Sequence, residues 1–350
     1  MSGNGNRVIV GARFNDGNNS NSGHVRMYQW SGSAWVQMGA DIDGESALDQ
    51  FGYAVSMNDA GDRIAVGAIN NDGNNSNSGH VRIYSWNGTS WGQVGADIDG
   101  EAGGDQSGYA VSLNAAGDKV VIGAASNDAG NFNNGHVRVY SYDGTSWSQQ
   151  GQDIDGVDAD DQLGYAVSIN AAGNRIAVAA PYHDGSGFDV GQVKVFNWNG
   201  TIWVQYGQSI DGEATGDEFG SSIAMNAAGD RLIIGAKNNS GTQTLAGHSR
   251  VFTWSDTTWV QLGDDLEGEN IEDYSGNAVA INASGDVVAI GATQNDGNGT
   301  SSGHVRLYQN NTCTSPVSIT MLPAEDASFI YGSTSFCFDS PDPSPVHTGT

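Results

Sequence analysis

Carboxylates are the residues of this sequence whose spacing could do chemistry. They cluster in short acidic segments that recur along the chain. Three or four oxygen ligands within about nine residues are enough to begin a Ca²⁺ site. Three segments are therefore candidate calcium sites: Asp43, Glu45 and Asp49; Asp99, Glu101 and Asp105; and Asp211, Glu213 and Asp217. The alternative is that these carboxylates accept backbone N–H bonds in Asp-Gly turns and that the surplus charge is solvated.

A second polar set is rich in Asn and Asp, as in the stretch Asn15-Asp-Gly-Asn-Asn-Ser-Asn-Ser22. One copy departs from the others and carries aromatic residues, which often anchor binding contacts. Drift of a surface loop explains that departure equally well. The candidate ligand-binding residues are Asp16, Asp72, Asp128, Tyr182, His183, Asp184, Phe188 and Asp296.

Catalytic motifs are absent from the sequence. It contains no nucleophile elbow, phosphate-binding loop or H-E-x-x-H pattern. The paired carboxylates occur in equal copies, whereas an active site is normally a single departure from a repeated pattern. We therefore expect a protein that is not an enzyme and has no catalytic residues.

Net charge excludes several classes of partner. The chain has 350 residues and a formal net charge of -27, from 13 basic and 40 acidic residues. Such a chain repels phosphate, so we expect no nucleic-acid partner and no attraction to anionic lipid. No apolar run approaches the length of a membrane span, so membrane insertion is not expected. The two cysteines, Cys313 and Cys337, lie near the C-terminus, and whether they pair is left open.

The elements that position these polar loops can be inferred from a sequence repeat of 56 residues. Gly-Ala pairs, Gly-His-Val-Arg runs and a tryptophan all keep this step, and six copies hold register without an insertion. The tryptophans are Trp35, Trp91, Trp147, Trp203 and Trp259, and the histidines are His24, His80, His136, His248 and His304. We interpret the tryptophans as packing between units and the histidines as hydrogen-bonded packing residues.

Each 56-residue unit reads as four short antiparallel strands, which we call A to D. In the second copy these are Phe51–57, Arg63–68, Gly79–86 and a strand from Trp91 towards Ile98. Asn87-Gly88 is a hairpin signal between C and D. Four-stranded units at this period predict an all-β fold, a β-propeller with six visible blades in a six- or seven-bladed ring. Strand alternation then places the B–C and D–A loops on one face.

The chain resembles the FG-GAP repeat family of integrin α-subunit propellers and their bacterial relatives. The residues that carry the resemblance are Phe51-Gly52 before strand A, Gly67-Ala68 at the end of strand B, and the acidic lead-in from Asp99 to Asp105. The resemblance implies a surface protein that binds ligands on its loop face. It also implies a calcium loop of the form D-x-D-x-D-G between A and B, where this chain has Asn58-Asp-Ala-Gly-Asp62.

The sequence also leads to predictions of the domain limits and the function. Residues 1–312 are predicted to form the propeller, starting within a repeat, and residues 313–350 either supply closing strands or begin a further β domain. We expect an extracellular or cell-surface protein that binds a glycan or a surface protein. The alternatives are a structural spacer of a large adhesin and a propeller-type polysaccharide lyase or hydrolase. An enzyme would show one asymmetric pocket with charged residues that the other blades lack.

Overall fold

The computed structural model describes residues 1–128 and 130–310, and it is built from β-strands throughout. Six antiparallel sheets follow one another, each made from one copy of the repeat. We number these blades 1 to 6, over residues 7–43, 55–99, 110–155, 166–211, 219–267 and 275–309. No helix in the described residues is long and apolar enough to cross a membrane. The described residues form an all-β propeller with six blades, which confirms the predicted fold class and the six visible blades.

The strand bounds follow the repeat. Strand A spans Val55–Met57, Ala110–Leu113, Ala166–Ile169, Phe219–Met225 and Ser275–Ile281. Strand B spans Arg7–Ala12, Arg63–Ala68, Lys119–Ala124, Arg175–Ala180, Arg231–Ala236 and Val287–Ala292. Strand C spans His24–Trp30, His80–Trp86, His136–Tyr142, Gln192–Trp198, His248–Ser255 and His304–Gln309. Strand D spans Trp35–Gln37, Trp91–Gln93, Trp147–Gln149, Trp203–Gln205 and Thr258–Gln261.

Strand D is shorter than predicted. In blade 2 it ends at Gln93, and the chain then turns so that Ile98–Asp99 pairs with the start of strand C. The turn passes through Gly95 at a φ of 78°, a left-handed conformation that favours glycine. The ring of Trp147 from the next blade lies against this glycine, because a Cβ there would be 2.8 Å from Trp147 Cδ1. Room for the neighbouring tryptophan therefore interrupts the strand. The equivalent short strands are Ile42–Asp43, Ile154–Asp155, Ile210–Asp211 and Leu266–Glu267.

Strand A of blade 2 is also shorter than the predicted Phe51–57. Gly52 has a φ of 89°, so the backbone leaves the extended conformation before Val55. The N–H groups of Gly52 and Tyr53 both donate to the carbonyl of Gly67 instead of forming a ladder. The prediction of a continuous strand was wrong because this glycine takes a left-handed turn.

The apolar core lies between the blades. Strands A of neighbouring blades run side by side, so A is the innermost strand. Five clusters of buried side chains fill the interfaces between consecutive blades. Ile64 and Val66 of blade 2 pack with blade 1, whereas Ala65 of the same strand packs with blade 3. Alternate residues of one strand thus serve two different neighbours.

A glycine contact joins four of the five consecutive blade pairs, and Ala179 takes the place of the first glycine between blades 4 and 5. Gly108 lies just before strand A of blade 3. Its carbonyl oxygen would lie 2.2 Å from a Cβ added to Gly67 of blade 2. The same close approach joins Gly11 to Gly52, Gly123 to Gly164 and Gly235 to Gly276. At these four interfaces the two glycines of the repeat signature therefore touch, and a Cβ on the first would meet the backbone of the second.

The repeated tryptophans also connect neighbouring blades, as predicted. The indole Nε1–H of Trp91 donates to the carbonyl of Met38 in blade 1, with an N···O distance of 2.9 Å. The same bond runs from Trp147 to Val94, from Trp203 to Gln150 and from Trp259 to Tyr206. Each ring is thus both packed and hydrogen-bonded against the preceding blade.

The outer faces of the first and last blades are exposed. Val10 of blade 1 is 48% exposed and Leu307 of blade 6 is 74% exposed, whereas the equivalent Val66 and Ile83 of blade 2 are fully buried. Within the described residues, blade 1 has no strand A and blade 6 has no strand D. The predicted closing or additional strands of residues 313–350, with Cys313 and Cys337, lie outside the described residues.

Candidate functional site

The B–C and D–A loops lie together on one face, as strand alternation predicts. In blade 2 the amide of Asn74 donates to the carbonyl of Gly100, with an N···O distance of 2.9 Å. The amide of Asn71 donates to the buried carboxylate of Asp49, at 3.0 Å, in the loop that precedes the blade. Each B–C loop therefore contacts the acidic loops on both sides of its own blade.

The predicted ligand-binding aspartates organise the B–C loops. Asp72 Oδ1 accepts the backbone N–H of Asn77, at 2.8 Å, and Asn77 has a left-handed φ of 52°. The same bond is made by Asp16 to Asn21, Asp128 to Asn133, Asp184 to Asp189 and Asp296 to Ser301. One carboxylate oxygen of each residue thus fixes the loop, and a contact to ligand through the other oxygen stays a prediction.

The three predicted calcium sets do not converge. In the second set, Asp99 lies near His80, Glu101 forms an ion pair with Arg138, and Asp105 is buried and accepts a backbone N–H. In the first set, Asp43 lies near His24, Glu45 pairs with Arg82, and Asp49 accepts the N–H of Ser46. In the third, Asp211 accepts from Gln192, Glu213 pairs with Arg250, and Asp217 accepts the N–H of Ala214. Each set faces three different partners, and calcium at these loops stays a prediction.

The A–B loop is closed by an asparagine. Asn58 Oδ1 accepts the backbone N–H groups of Asp62 and Arg63, at 3.0 and 2.9 Å, and its Nδ2 donates to the Asp62 carboxylate. Asn114, Asn170, Asn226 and Asn282 occupy the same position and make corresponding bonds. The amide side chain therefore satisfies the loop where the resemblance implies calcium.

Four tyrosines form a row at the inner rim of the loop face, and the sequence analysis missed it. Tyr53, Tyr109 and Tyr165 stand just before strand A in blades 2, 3 and 4. Their ring centroids are 5.1 and 5.0 Å apart in sequence order, and Tyr182 meets Tyr165 edge-on at 5.9 Å. We call Tyr53, Tyr109, Tyr165 and Tyr182 the tyrosine row. One strand A per blade brings distant residues of the chain together here.

The pKa values of two tyrosines in the row, Tyr109 and Tyr182, are raised. Burial raises the pKa of Tyr109 far above its usual range, and hydrogen bonding to Tyr53 raises it further. Burial, followed by the nearby Glu218 carboxylate, raises the pKa of Tyr182 to about 12. Neutral phenol groups can donate and accept hydrogen bonds, so the row presents apolar ring faces together with polar hydroxyl edges.

Two cations flank the tyrosine row. The guanidinium carbon of Arg13 lies 4.7 Å from the ring centroids of both Tyr53 and Phe14. The ammonium of Lys237 lies 5.7 Å from the Tyr165 centroid and 2.8 Å from Glu218 Oε2. Both cations directly follow a strand B. The other 11 of the 13 basic residues recur at two positions of the repeat, one at the start of strand B and one within strand C. That departure from the repeat was the signal available in the sequence.

Blade 4 differs from the other blades in its B–C loop. His183 replaces the recurring asparagine, and its Nδ1 lies 3.2 Å from the buried Asp161 carboxylate. Phe188 is exposed, as predicted. Tyr182 was predicted to be exposed as well, and this was wrong because its ring packs against Tyr165 and becomes half-buried. The predicted residues of this loop therefore divide between the tyrosine row and the outer surface.

The histidine that opens strand C is buried in a network of charges. His80 Nδ1 lies 3.8 Å from Asp97 Oδ2, and Arg82 forms ion pairs with Asp97 and with Glu45 of the preceding loop. Burial lowers the pKa of His80, and the adjacent Arg82 lowers it further. The network therefore holds a neutral imidazole between blades 1 and 2.

We expect the substitution His80→Gln to reduce the acid sensitivity of the fold. Because the pKa of His80 is lower in the folded state, the unfolded chain takes up the proton first, and stability falls as pH drops below the ordinary histidine value of about 6.5. Glutamine does not titrate, and Gln192 occupies the same slot in blade 4. Urea unfolding at pH 7.5 and pH 5.5 measures the difference. An equal loss of stability in both proteins would contradict the prediction.

Comparison with known proteins gives one match. The family model of the FG-GAP repeat matches residues 42–84, which span the end of blade 1 and most of blade 2. None of the curated proteins compared with the chain matches it. The glycine contact that joins blades 1 and 2 recurs at later interfaces, so the matched unit represents the architecture of the whole array. Over its described residues the chain is a six-bladed β-propeller, and it contains an FG-GAP repeat at residues 42–84.

Proposed function

We propose that this propeller is a non-catalytic binding module that recognises a glycan on its loop face. The tyrosine row is the observation that carries the proposal. It joins three blades at the inner rim of the face that carries the B–C and D–A loops. Adhesion at the cell surface is the setting that fits the family resemblance.

The tyrosine row has the chemistry that sugars require. Tyrosine rings offer apolar faces to the C–H surfaces of a sugar, and their neutral hydroxyl groups can bond to sugar hydroxyls. The rings also pack against one another, so little side-chain entropy remains to be lost on binding. The Asn-rich B–C loops around the row supply further amide donors and acceptors.

A polysaccharide lyase or hydrolase is the second candidate, because charge at the rim is asymmetric. Lys237 and Glu218 form a half-buried ion pair next to Tyr165 and Tyr182. The other blades have no such pair, since Gln50, Gln106 and Gln162 stand in the slot of Glu218. Release of reducing ends or unsaturated products from polysaccharides would support this candidate over simple binding.

Glycan binding is tested by an array followed by calorimetry with the strongest hit. We expect Tyr109→Ala to weaken binding at least tenfold, about 1.4 kcal/mol, because the central ring of the row is lost. Tyr109→Phe keeps the ring, so we expect it to retain most of the affinity. Tyr142→Ala is the matched control, since Tyr142 ends strand C on the opposite face and its hydroxyl donates to Gly144.

Two results would overturn the glycan proposal. The first is an array without hits for the folded wild-type protein, which would favour a structural spacer. The second is equal loss of binding in the Tyr109→Ala and Tyr142→Ala variants, which would place the glycan elsewhere. Circular dichroism of each variant establishes that the fold is intact.

A further inference from the structure

In blades 1, 2, 3 and 5 the histidine that opens strand C lies near two carboxylates. These blades differ in whether the adjacent arginine pairs with the aspartate of its own blade. In blades 1 and 2 the arginine bonds to the aspartate of its own blade. Arg26 reaches Asp41 at 2.7 Å, and Arg82 reaches Asp97 at 2.8 Å. A guanidinium thus already neutralises the carboxylate beside the histidine.

Blades 3 and 5 differ, because the arginine turns towards the preceding blade. Arg138 lies 3.1 Å from Glu101 and donates to the carbonyl of Asp99. Arg250 lies 3.0 Å from Glu213 and donates to the carbonyl of Asp211. Among the described residues, Asp153 and Asp265 have no arginine or lysine within ion-pair distance, and each accepts from a glutamine amide.

The histidines of these two blades carry ring nitrogens without hydrogen-bond partners. His136 is 1% exposed, and its Nδ1 has no hydrogen-bond partner and lies 4.0 Å from Asp155 Oδ1. In His248 the nitrogen without a hydrogen-bond partner is Nε2, and Nδ1 lies 3.6 Å from Asp265 Oδ2. A buried polar atom in this condition costs free energy. A neutral imidazole can offer the lone pair of such a nitrogen to a metal ion.

Candidate ligand atoms converge at both histidines. The ligand atoms of Glu101, His136 and Asp153 lie within 4.8 Å of one another, and those of Glu213, His248 and Asp265 do the same. In each group the glutamate comes from the preceding blade. An ion bound there would therefore connect two blades, and the exposed glutamate leaves a route from solvent.

We propose that these two groups, Glu101–His136–Asp153 and Glu213–His248–Asp265, each bind one divalent transition-metal ion of the Zn²⁺ class. One imidazole nitrogen and two carboxylates suit Zn²⁺, whereas Ca²⁺ takes oxygen ligands. Arg138 and Arg250 each contact one oxygen of their glutamate and leave the other for the ion. The ion would neutralise carboxylates that the arginines do not reach.

Zinc titration of the metal-stripped full chain by calorimetry tests the proposal. We expect His136→Gln and His248→Gln each to bind one Zn²⁺ fewer than wild type, and the double variant to bind two fewer. His80→Gln is the matched control: the ligand atoms of His80, Asp97 and Asp99 also lie within 4.8 Å of one another, but Arg82 already pairs with Asp97. We therefore expect this variant to bind as wild type does. Glutamine is native to this slot at position 192, so the variants should fold.

A second measurement separates the two sites from zinc held loosely by the acidic surface. We expect Zn²⁺ to raise the melting temperature of wild type, and the double variant to lose that rise, because an ion bound only by the folded state stabilises it. Ca²⁺ at the same concentration should not reproduce the pattern. Equal zinc binding in wild type and the double variant, or equal losses in His80→Gln and His136→Gln, would overturn the proposal.

Discussion

Replacing Gly123 with alanine is expected to destabilise the fold by about 3 kcal/mol. An added Cβ would lie 2.0 Å from the carbonyl oxygen of Gly164 in the next blade. That oxygen belongs to the backbone, so no rotamer change can move it, and overpacking of this kind costs about 1–3 kcal/mol or more. Relief requires the sheets of blades 3 and 4 to separate. Denaturant unfolding followed by tryptophan fluorescence measures the loss.

Gly291→Ala is the control for Gly123→Ala. Gly291 holds the same position in blade 6, but a Cβ there meets only the oxygen and Cβ of Ala278, at 3.6 and 3.7 Å. These are ordinary contacts, so we expect a change within about 1 kcal/mol, with a stabilising contribution from the less flexible unfolded chain. Similar losses in both variants would show that the glycine position matters for the strand itself and not for blade contact.

Replacing Trp259 with alanine is expected to cost about 3–5 kcal/mol. The indole is 3% exposed, and its Nε1–H donates to the carbonyl of Tyr206 in the preceding blade. It also packs beside Tyr206 and Trp254. Alanine removes the packing and leaves that carbonyl without its donor. The free energy of unfolding, again from denaturant titration, is the measurement.

Trp35→Ala shows how much of the Trp259 effect comes from the blade interface. Trp35 is the equivalent residue of blade 1, is 45% exposed and contacts Trp30 within its own sheet. We expect a loss below about 1 kcal/mol, because little buried area is removed. A cost equal to that of Trp259→Ala would mean that the tryptophans act within their own sheets.

The fold could be predicted from the sequence because every copy of the repeat shows the same pattern of strands and turns. The 56-residue step, the Asn87-Gly88 hairpin signal and the alternating sizes at Ile64 and Ala65 all agree with stacked sheets. The predictions that failed concern the bounds of individual strands. The bend at Gly52 lies against the preceding blade and the bend at Gly95 against the next one, and a strand pattern taken from one unit contains no information on those distances.

The candidate site was less predictable for the same reason. The predicted aspartates and glutamates do lie on one face, but their partners are fixed by side-chain direction, as the divergence of Asp99, Glu101 and Asp105 shows. Tyr53, Tyr109 and Tyr165 looked like ordinary strand residues, because only the curvature of the array brings them within about 5 Å. Arg13 and Lys237 were visible as exceptions to the repeat, yet nothing in the sequence placed them beside the tyrosines.

The asparagine at the start of each A–B loop has a consequence for how the protein tolerates its surroundings. Asn58 and its counterparts hold this bend with their own amide groups, so the bend does not depend on a dissolved ion. We therefore expect the rim opposite the B–C and D–A loops to keep these bends when a chelator removes calcium.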